Sequence, residues 1–447
     1  MPPERLVRHE SLATRPRESG ISPWPILSSA AGRIPGTIKP QMSAPLPFLA
    51  GPTHGYPPPV GRTQGIYLDY NGSAPLDPRV AEVMARALTE GLGNASSVHR
   101  FGRRQAAAAD EAREHVAALV GGRASGVIFT SGATEANNLA LRGAVEGRPP
   151  DRHRILVSAV EHASVARTAA WLGESEQAAV EVIPVTPGGF VDADQVRKMV
   201  GSDVLLVSVM AANSETGVLN RVGEIAERVH EAGALFHCDA TQFAGRLPFD
   251  LDALGADLVS VSSHKICGPT GAGALVGTRA SLKQLRPILH GGGHERGLRS
   301  GSLNVGGIVG FGAAARIATE ERVEEQQRVG RLRDEFTQTL KRRLPDVHEI
   351  GDTGRRLPNT ACLRFAGADG QAVVTQMDPV AVSLGSACHA GSIEPSAALL
   401  AMGIPRDAAF EAVRFSLGRF TTDLEIELAV EKMVAAVGFV REKTGVA

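Results

Sequence analysis

The sequence predicts an α/β fold in which helices cover a mostly parallel central sheet and a smaller α+β domain follows toward the C-terminus. Short, almost wholly apolar segments such as Val127–Thr130 and Val204–Val209 alternate with segments of helical apolar spacing such as Val222–Ala232. Strands that are apolar on both faces are typical of a parallel sheet with helices on both sides. The 447 residues are enough for two or three domains.

The elements are expected in a simple order along the chain. A long polar helix over about Arg316–Leu344 separates a large domain, residues 65–320, from a small domain, residues 321–447. Residues 65–78 are candidates for packing with the small domain, which carries the loop 384–396. Further expected elements are a strand from Ile66, a helix over Thr134–Val145, strands Ile155–Ser158, Leu235–Cys238, Leu258–Val261, Thr360–Phe365 and Arg414–Leu417, a helix after His162, and a final helix from Asp423.

Composition excludes several function classes. The net charge is −1, with 47 basic and 48 acidic residues, so nucleic-acid binding is not expected. No apolar run approaches the ~18 residues of a membrane span. The four cysteines lack disulfide-framework or metal-ligand spacing, so we expect no bound metal. The chain is therefore predicted to be a soluble cytoplasmic enzyme or binding protein.

Residues 1–64 differ from the rest of the chain. They hold 13 of the 27 prolines and show no helical or strand period. We expect a disordered extension. A targeting segment is the alternative, because the stretch after Glu18 contains arginine and lacks acidic residues, although its prolines oppose an amphipathic helix. A start annotated too far upstream of Met42 is a third interpretation.

Several strand ends carry reactive residue types, and each also has an ordinary structural interpretation. Gly132-Ala133-Thr134 is typical of a helix N-cap, or of a phosphate site made by the free N–H groups of a helix start. Asp239 ends an apolar strand. There it is either a helix cap or a hydrogen-bond acceptor for a buried cation. Lys265 is either a paired lysine or an amine nucleophile. His162 alone is typical of a structural histidine.

Together these residues match the needs of an enzyme that uses pyridoxal 5′-phosphate (PLP). Such an enzyme requires a lysine that bonds to the cofactor aldehyde, a carboxylate for the pyridine nitrogen, a phosphate cradle and a flat partner for the ring. All four types occur here at successive strand ends. Because ligands of parallel sheets bind at the carboxyl ends of strands, the sequence predicts a PLP site at that edge.

A set of ordered motifs carries a family resemblance over the chain from about residue 65 to its end. The motifs are Tyr67-Leu68-Asp69-Tyr70-Asn71, Phe129-Thr130-Ser131-Gly132-Ala133-Thr134-Glu135, His237-Cys238-Asp239-Ala240-Thr241-Gln242, Ser263-His264-Lys265-Ile266, His290-Gly291-Gly292-Gly293-His294-Glu295, Arg299-Ser300-Gly301-Ser302, Gly385-Ser386-Ala387-Cys388 and Arg414-Phe415-Ser416-Leu417-Gly418-Arg419. They resemble the cysteine desulfurase family, among the class V aminotransferase-like PLP enzymes of fold type I. The resemblance implies that fold.

The resemblance also implies roles around the cofactor. Lys265 would bond to PLP and move the substrate Cα proton, and Asp239 would keep the ring nitrogen protonated. Gln242 would hydrogen-bond the phenolic oxygen, and His162 would stack on the ring. The phosphate would be bound by residues from two segments and from the neighbouring subunit of a homodimer, namely Ala133, Thr134, Ser262, His264 and the neighbour's Ser302.

The chain departs from the family pattern at two places. The family usually has two asparagines where this chain has Asn213-Ser214, so Ser214 is a less secure contact to the phenolic oxygen. Asn71-Gly72-Ser73-Ala74-Pro75 also differs from the usual Asn-Ala-Thr-Thr-Pro, a difference for which we expect little consequence.

Cys388 determines the reaction that the resemblance implies. It lies in a Gly/Ser/Ala-rich run, and delivering a thiolate to a bound substrate requires such a segment. L-cysteine would bind through Arg414 and Asn213, with Arg414 pairing its carboxylate. Cys388 would attack the substrate sulfur, release alanine and keep the sulfur as a persulfide. A sulfur-acceptor protein, such as an iron–sulfur scaffold, would then collect it.

Three alternatives remain at this stage. Selenocysteine lyase uses the same scaffold, and Ala387-Cys388-His389 resembles that branch slightly, whereas the longer run to Glu394-Pro395-Ser396 resembles the long-loop desulfurases. A class V aminotransferase would need a keto acid and no role for Cys388. A non-enzymatic PLP-binding scaffold for sulfur-assembly partners is disfavoured, because both Lys265 and Cys388 are present.

Overall fold

A computed structural model describes residues 65–384 and 394–445 of the chain. Residues 1–64, including the predicted extension, lie outside the described residues. The strands, in chain order, are β1 (Ile66–Tyr67), β2 (Val127–Thr130), β3 (Arg154–Ser158), β4 (Ala179–Ile183), β5 (Val204–Ser208), β6 (Leu235–Asp239), β7 (Leu258–Ser262), β8 (Gly273–Gly277), β9 (Val347–Glu349), β10 (Thr360–Phe365), β11 (Val380–Ala381) and β12 (Ala412–Ser416).

Helices separate most of these strands. They are α1 (Pro78–Glu90), α2 (Arg100–Leu119), α3 (Ala133–Gly147), α4 (Ala163–Glu174), α5 (Ala193–Met199), α6 (Val222–Glu231), α7 (Arg279–Gln284), α8 (Val305–Arg343), α9 (Gly370–Gln376), α10 (Ala397–Ala401), α11 (Arg406–Phe410) and α12 (Asp423–Thr444). The predicted strands at β2 and β10 have the expected bounds. The alternation of strands and helices confirms the α/β fold class.

A seven-stranded sheet forms the centre of the larger part, in the order β2-β8-β7-β6-β5-β3-β4. The pairs among β7, β6, β5, β3 and β4 are parallel, and β8 is antiparallel to both β2 and β7. The sheet is thus mostly parallel, as the sequence predicts. The carboxyl ends of β3, β5, β6 and β7 share one edge, which is where residues after the strands meet.

The central strands of this sheet are buried on both faces, and successive side chains of β6 and β7 enter different hydrophobic cores. On β6, Leu235 packs in one core and Phe236 in the other. On β7, Leu258 and Val259 divide in the same way. This packing explains the almost wholly apolar runs in the sequence and fixes the depth of every strand end.

The long helix α8 begins earlier than the sequence predicts. It starts at Val305 rather than near Arg316, and its first three turns are rich in glycine and alanine. Glycine lowers helix propensity, so this region lacks a helical signal. Here it permits close packing, because a Cβ on Gly312 would lie 2.5 Å from the Cα of Ala112 on α2. Packing against α2 therefore outweighs propensity.

A second, three-stranded sheet has the order β12-β10-β9 and packs under α8 and α12 in its own core. The two-residue strand β1 pairs in parallel with β11, and Asp69 forms a parallel bridge to Ser416 of β12. The chain segment before α1 therefore lies against the three-stranded sheet. In the described part of the chain, none of the helices is both long enough and apolar enough to span a membrane.

Tyr70, next in sequence after that bridge, provides a test of this packing. A Cβ on Gly418 would lie 2.0 Å from Cδ1 of the Tyr70 ring. We expect Gly418→Ala to lower the free energy of unfolding by about 2 kcal/mol or more, because the ring must move. Gly438→Ala is the matched control, since nothing lies within 4 Å of its Cβ on α12 and the change adds about 1 kcal/mol of stability. Denaturant unfolding measures both, and equal stabilities would contradict this packing.

Candidate active site

The strand ends bring together most of the residues that the sequence singles out. Asp239 is the last residue of β6, and Ser262 is the last residue of β7. Lys265 ends the 3₁₀ turn that follows β7, and His162 caps the start of α4 after β3. Their neighbours come from the segment after β1 and from β12, so both sheets contribute to one site.

Lys265 points at the turn after β1. Its Nζ donates to the carbonyl oxygens of Asn71 and Gly72, at 2.6 Å each. Burial, together with the nearby cations of Arg246 and Arg414 and against the carboxylates of Asp69 and Asp239, lowers the pKa of this amine to about 8. At pH 7 about a tenth of the amine is therefore neutral, which is the form that acts as a nucleophile.

Asp239 belongs to a chain of hydrogen bonds that reaches His162. Its Oδ2 accepts from Asn137 Nδ2 at 2.8 Å, and the same Nδ2 donates to Ser164 Oγ at 2.8 Å. Ser164 Oγ lies 2.8 Å from Nδ1 of His162, which also accepts from the Ser164 N–H at 3.1 Å. Because His162 Nδ1 accepts this bond, its proton belongs on Nε2. The network fixes the carboxylate and the imidazole relative to each other.

Gln242 lies between the Lys265 turn and a buried arginine. Its Nε2 donates to the Asn71 carbonyl at 3.0 Å, and its Oε1 accepts from Arg246 at 2.6 Å. Arg246 also donates to the Gln242 carbonyl at 2.6 Å. These acceptors are neutral, and burial lowers the pKa of Arg246 to about 10. Arg246 thus places a positive charge behind Lys265.

The start of α3 is the segment predicted to bind the phosphate. Gly132 precedes the helix, and no side chain caps its free N–H groups. A Cβ on Gly273 would lie 2.5 Å from the Gly132 Cα, and one on Gly132 would lie 3.9 Å from Ser262 Oγ. The start of α3, with Ala133 and Thr134 as its first residues, therefore lies close to Ser262 and to β8. Free N–H groups at a helix start suit a phosphate.

His264 lies beside the turn after β1, where its Nδ1 is 3.2 Å from Ser73 Oγ. Burial and then the Lys265 cation lower the pKa of His264 to about 4. The ring is therefore neutral at physiological pH. The donor set of lysine, carboxylate, amide and helix start fits PLP, with Lys265 for the aldehyde, Asp239 for the ring nitrogen, and Ser262 and the α3 start for the phosphate.

Ser302 lies on a separate, firmly held segment. Asn94 Nδ2 donates to its Oγ at 3.4 Å, and the residue is exposed. Upstream, the buried carboxylate of Glu295 accepts from Arg113 at 2.7 and 2.8 Å. Arg299 pairs with Glu135 in the first turn of α3 at 2.9 Å. These pairs hold the surface loop that carries Ser302.

Arg414 is held at the other side of the site. Its guanidinium donates to Asp69 Oδ1 at 2.5 Å and to the Ser214 carbonyl at 3.1 Å. Because the contact to Ser214 is through the backbone, it does not depend on the side chain there. Asn213 Oδ1 instead accepts from the N–H groups of Glu215 and Thr216 at 2.9 Å each, and so stabilises its own turn. Its role toward a substrate stays a prediction.

Cys388 lies outside the described residues, which resume at Glu394. Both flanks of that gap are near the site. Ser383 exchanges two backbone hydrogen bonds with Arg414, at 2.7 and 3.2 Å. After the gap, Ser396 caps α10 and hydrogen-bonds the carboxyl of Glu215.

A small pocket lies behind Lys265. Its lining includes Tyr70, Arg246, Cys267, Glu325 and Arg419, but Lys265 alone among the predicted cofactor residues. The predicted chemistry therefore centres on the strand ends and not on this pocket.

Three residues important to this geometry escaped the sequence reasoning. They are Asn71, Asn137 and Arg246. Asn137 is one helical turn after Ala133 and Arg246 is four residues after Gln242, spacings that could have indicated both. No local pattern indicates the role of Asn71, because its side-chain partners Ser214 and Thr360 lie far away in sequence.

The comparisons with known proteins agree with this geometry. The family model for class-V aminotransferases matches residues 66–428. A cysteine desulfurase of Frankia sp. (strain EuIK1) is 46% identical over 84% of this chain and 92% of its own length. The cysteine desulfurase IscS of Anaeromyxobacter sp. (strain Fw109-5) is 43% identical over 84% and 93%. A solved structure described as a NifS-like protein matches with a TM-score of 0.78 and 33% identity, over 84% of this chain and 100% of that one.

Glu161, beside His162, yields a testable pH dependence. Its Oε1 accepts from Ser158 Oγ and the Met210 N–H at 2.6 and 2.7 Å, and burial raises the pKa of its carboxyl to about 8. The unfolded chain loses this proton near pH 4.5, so wild-type stability falls between about pH 4.5 and 8. Glu161→Gln keeps the one oxygen that accepts both hydrogen bonds. We therefore expect the stability of this variant, relative to wild type, to rise by about 1.4 kcal/mol per pH unit over that range.

Denaturant unfolding at several pH values measures this difference. The matched control is Glu324→Gln on the exposed face of α8, whose curve should run parallel to that of wild type. Parallel curves for Glu161→Gln as well would contradict a neutral buried carboxyl.

Proposed function

Since this chain belongs to the class-V aminotransferase family and is a cysteine desulfurase, we propose that it converts L-cysteine to L-alanine with Lys265 and Cys388 as its reacting groups. The observation that carries the roles is the position of Lys265. Its amine, with a pKa of about 8, ends a turn between the carboxylates of Asp239 and Asp69 and beside Arg414. We propose PLP as the cofactor that this amine bonds to.

PLP, when bound, stabilises negative charge on the substrate Cα. Lys265 would be the base that takes the Cα proton, because its amine lies at the strand ends with a lowered pKa. Asp239 holds a proton on the ring nitrogen, and its geometry is fixed by the bond from Asn137. Gln242 and His162 orient the ring, the first held by Arg246 and the second by Ser164.

Arg414 binds the substrate carboxylate in this proposal. A guanidinium suits a planar carboxylate because it donates two parallel hydrogen bonds. The Ser214 carbonyl supports Arg414 from one side, so the Ser-for-Asn difference at this position leaves that support in place. Ser214 and Asn213 complete the same side of the pocket.

Cys388 takes the sulfur. Cys388 is four residues after Leu384, so an extended chain separates their Cα atoms by at most about 14 Å. Ser383, just before Leu384, forms backbone hydrogen bonds with Arg414. The Cys388 thiolate attacks the substrate sulfur, so that an S–S bond forms as the substrate C–S bond breaks. The substrate carbon takes a proton and leaves as L-alanine, and Cys388 holds the persulfide.

A homodimer would complete the phosphate site with Ser302 of the neighbouring subunit. The support is that Ser302 is exposed on a loop held by the Arg113–Glu295 and Arg299–Glu135 ion pairs. The persulfide then passes to a sulfur-acceptor protein, such as an iron–sulfur scaffold. A reducing compartment such as the cytoplasm keeps Cys388 as a thiol.

The relatives favour cysteine desulfurase over the other functions that the sequence leaves open. They are cysteine desulfurases at 39–46% identity, which does not favour selenocysteine lyase. Turnover of selenocysteine and cysteine, compared side by side, measures that preference. Plain transamination is not favoured either, because it gives Cys388 no role.

The Lys265 amine should show its lowered pKa in its reaction with the cofactor. We expect the cofactor-free chain to bind pyridoxal phosphate covalently at a rate that rises with pH and levels off above about 8, because the neutral amine reacts. The control is α-N-acetyl-lysine, whose amine titrates near 10.4. Stopped-flow absorbance measures both, and a midpoint above 10 for the chain would refute the assignment.

Removing the Cys388 thiol tests the function itself. Incubated with L-cysteine, wild type should form alanine and a persulfide, followed by mass spectrometry. Cys388→Ala should lose about a hundredfold or more of the alanine formation yet keep the PLP absorption band, because cofactor binding does not use the thiol.

The matched control is Cys362→Ala. Burial raises the pKa of the Cys362 thiol to about 12, so it is a poor nucleophile, and this variant should keep the persulfide. Full alanine formation by Cys388→Ala would overturn the proposal.

A further inference from the structure

Asp69 is the acidic side chain that contacts Arg414. The backbone of Asp69 is held beside β12 by its bridge to Ser416, with the Ser416 N–H donating to the Leu68 carbonyl at 2.8 Å and the Tyr70 N–H to the Ser416 carbonyl at 3.1 Å. Residues 414 and 416 lie on the same face of β12, because side chains alternate along a strand. This register brings the Asp69 carboxylate to the Arg414 guanidinium.

We propose that Asp69 is a positioning residue, which sets the direction of the Arg414 guanidinium and thereby the placement of the substrate carboxylate. Its Oδ1 accepts from Arg414 Nη2 at 2.5 Å, while Nη1 donates to the Ser214 carbonyl at 3.1 Å. Two contacts from distant parts of the chain thus fix one planar group. The Arg414 side chain is only 6% exposed, so water screens the pair weakly. The inference rests on the proposed function.

Gly72 supports this assignment independently. A Cβ at position 72 would lie 2.5 Å from Asp69 Oδ2 and 3.0 Å from its Cγ. The carboxylate therefore occupies the space that any side chain at 72 would need. The absence of a side chain at Gly72 leaves the Asp69 carboxylate room to face Arg414. The sequence analysis expects little consequence from a glycine at this position, so this contact was not foreseen. Replacing Gly72 moves the carboxylate without removing it.

Asp69 and the substrate carboxylate are chemically alike, so the charge of Asp69 and its hydrogen bond must be separated. Asp69→Asn keeps an acceptor oxygen at Oδ1 and removes the charge, whereas Asp69→Ala removes both. If Asp69 positions Arg414, the amide rescues much of the loss. If Asp69 merely competes with the substrate, both variants bind substrate more tightly than wild type.

The experiment measures KM and kcat for L-cysteine with the PLP-loaded enzyme. For Asp69→Ala we expect KM to rise about tenfold or more while kcat changes by less than about threefold, because Arg414 binds the substrate before chemistry. For Asp69→Asn we expect a rise of about threefold or less. Gly72→Ala should raise KM between these values. Calorimetric dissociation constants for the product L-alanine should follow the same order.

The matched control is Asp203→Asn. Asp203 pairs with Arg154 through two hydrogen bonds of 3.0 Å at the amino ends of β3 and β5, the sheet edge opposite the site. The KM and kcat of the Asp203→Asn variant should equal those of wild type. Thermal unfolding of every variant checks that each one folds.

Three outcomes would overturn the inference. The first is an unchanged KM in Asp69→Ala, and the second is a lowered KM in either Asp69 variant. The third is that Asp69→Ala and Asp69→Asn lose the same amount of kcat as each other and show the same drop in unfolding temperature. A wild-type enzyme that forms no alanine would instead overturn the proposed function. The two failures are therefore distinguishable.

Discussion

The site depends on one buried residue, Asn71. Its carbonyl oxygen accepts from both Lys265 Nζ and Gln242 Nε2, at 2.6 and 3.0 Å. Its side chain donates to the Ser214 carbonyl and to Thr360 Oγ1 of β10, and it accepts from Asn359. Lys265, which follows β7 of the seven-stranded sheet, and Thr360 on β10 of the three-stranded sheet therefore both contact Asn71. Since a partly satisfied buried polar network is costly, each of these contacts requires the others.

The same arrangement explains why the Lys265 amine is only weakly basic. Arg246 and Arg414 approach it from two sides, against Asp69 and Asp239, and burial weakens the response of water. In the described part of the chain, Arg246 donates its hydrogen bonds to neutral oxygens and has only the more distant charge of Glu325, whereas Arg414 pairs directly with Asp69. The electrostatic balance at Lys265 is therefore asymmetric, with the cation from the large sheet dominant. Burial is the main cause of the lowered pKa of Lys265, and this asymmetry adds to it.

Much of this site could be predicted from the sequence, for a physical reason. Parallel strands buried on both faces give continuous apolar runs, so β6 and β7 and the residues after them could be located. Whether a strand runs antiparallel is not encoded locally, and β8 was not expected. Nor could the pairing of Asn71 with Thr360 be foreseen, because 289 residues separate them. Strand ends are local features, whereas the contacts that orient their side chains are tertiary.

The anchoring of the segment that carries Cys388 limits where sulfur can be handed on. Ser383 is bonded through its backbone to Arg414, the residue proposed to hold the substrate. An extended chain places the Cα of Cys388 within about 14 Å of Leu384, whatever path the segment takes. The backbone that leads to the proposed nucleophile, Cys388, is therefore hydrogen-bonded at Ser383 to the strand that carries Arg414, the proposed substrate-binding group. If Cys388 carries the sulfur as proposed, an acceptor must reach a thiol whose Cα stays within this distance of Leu384.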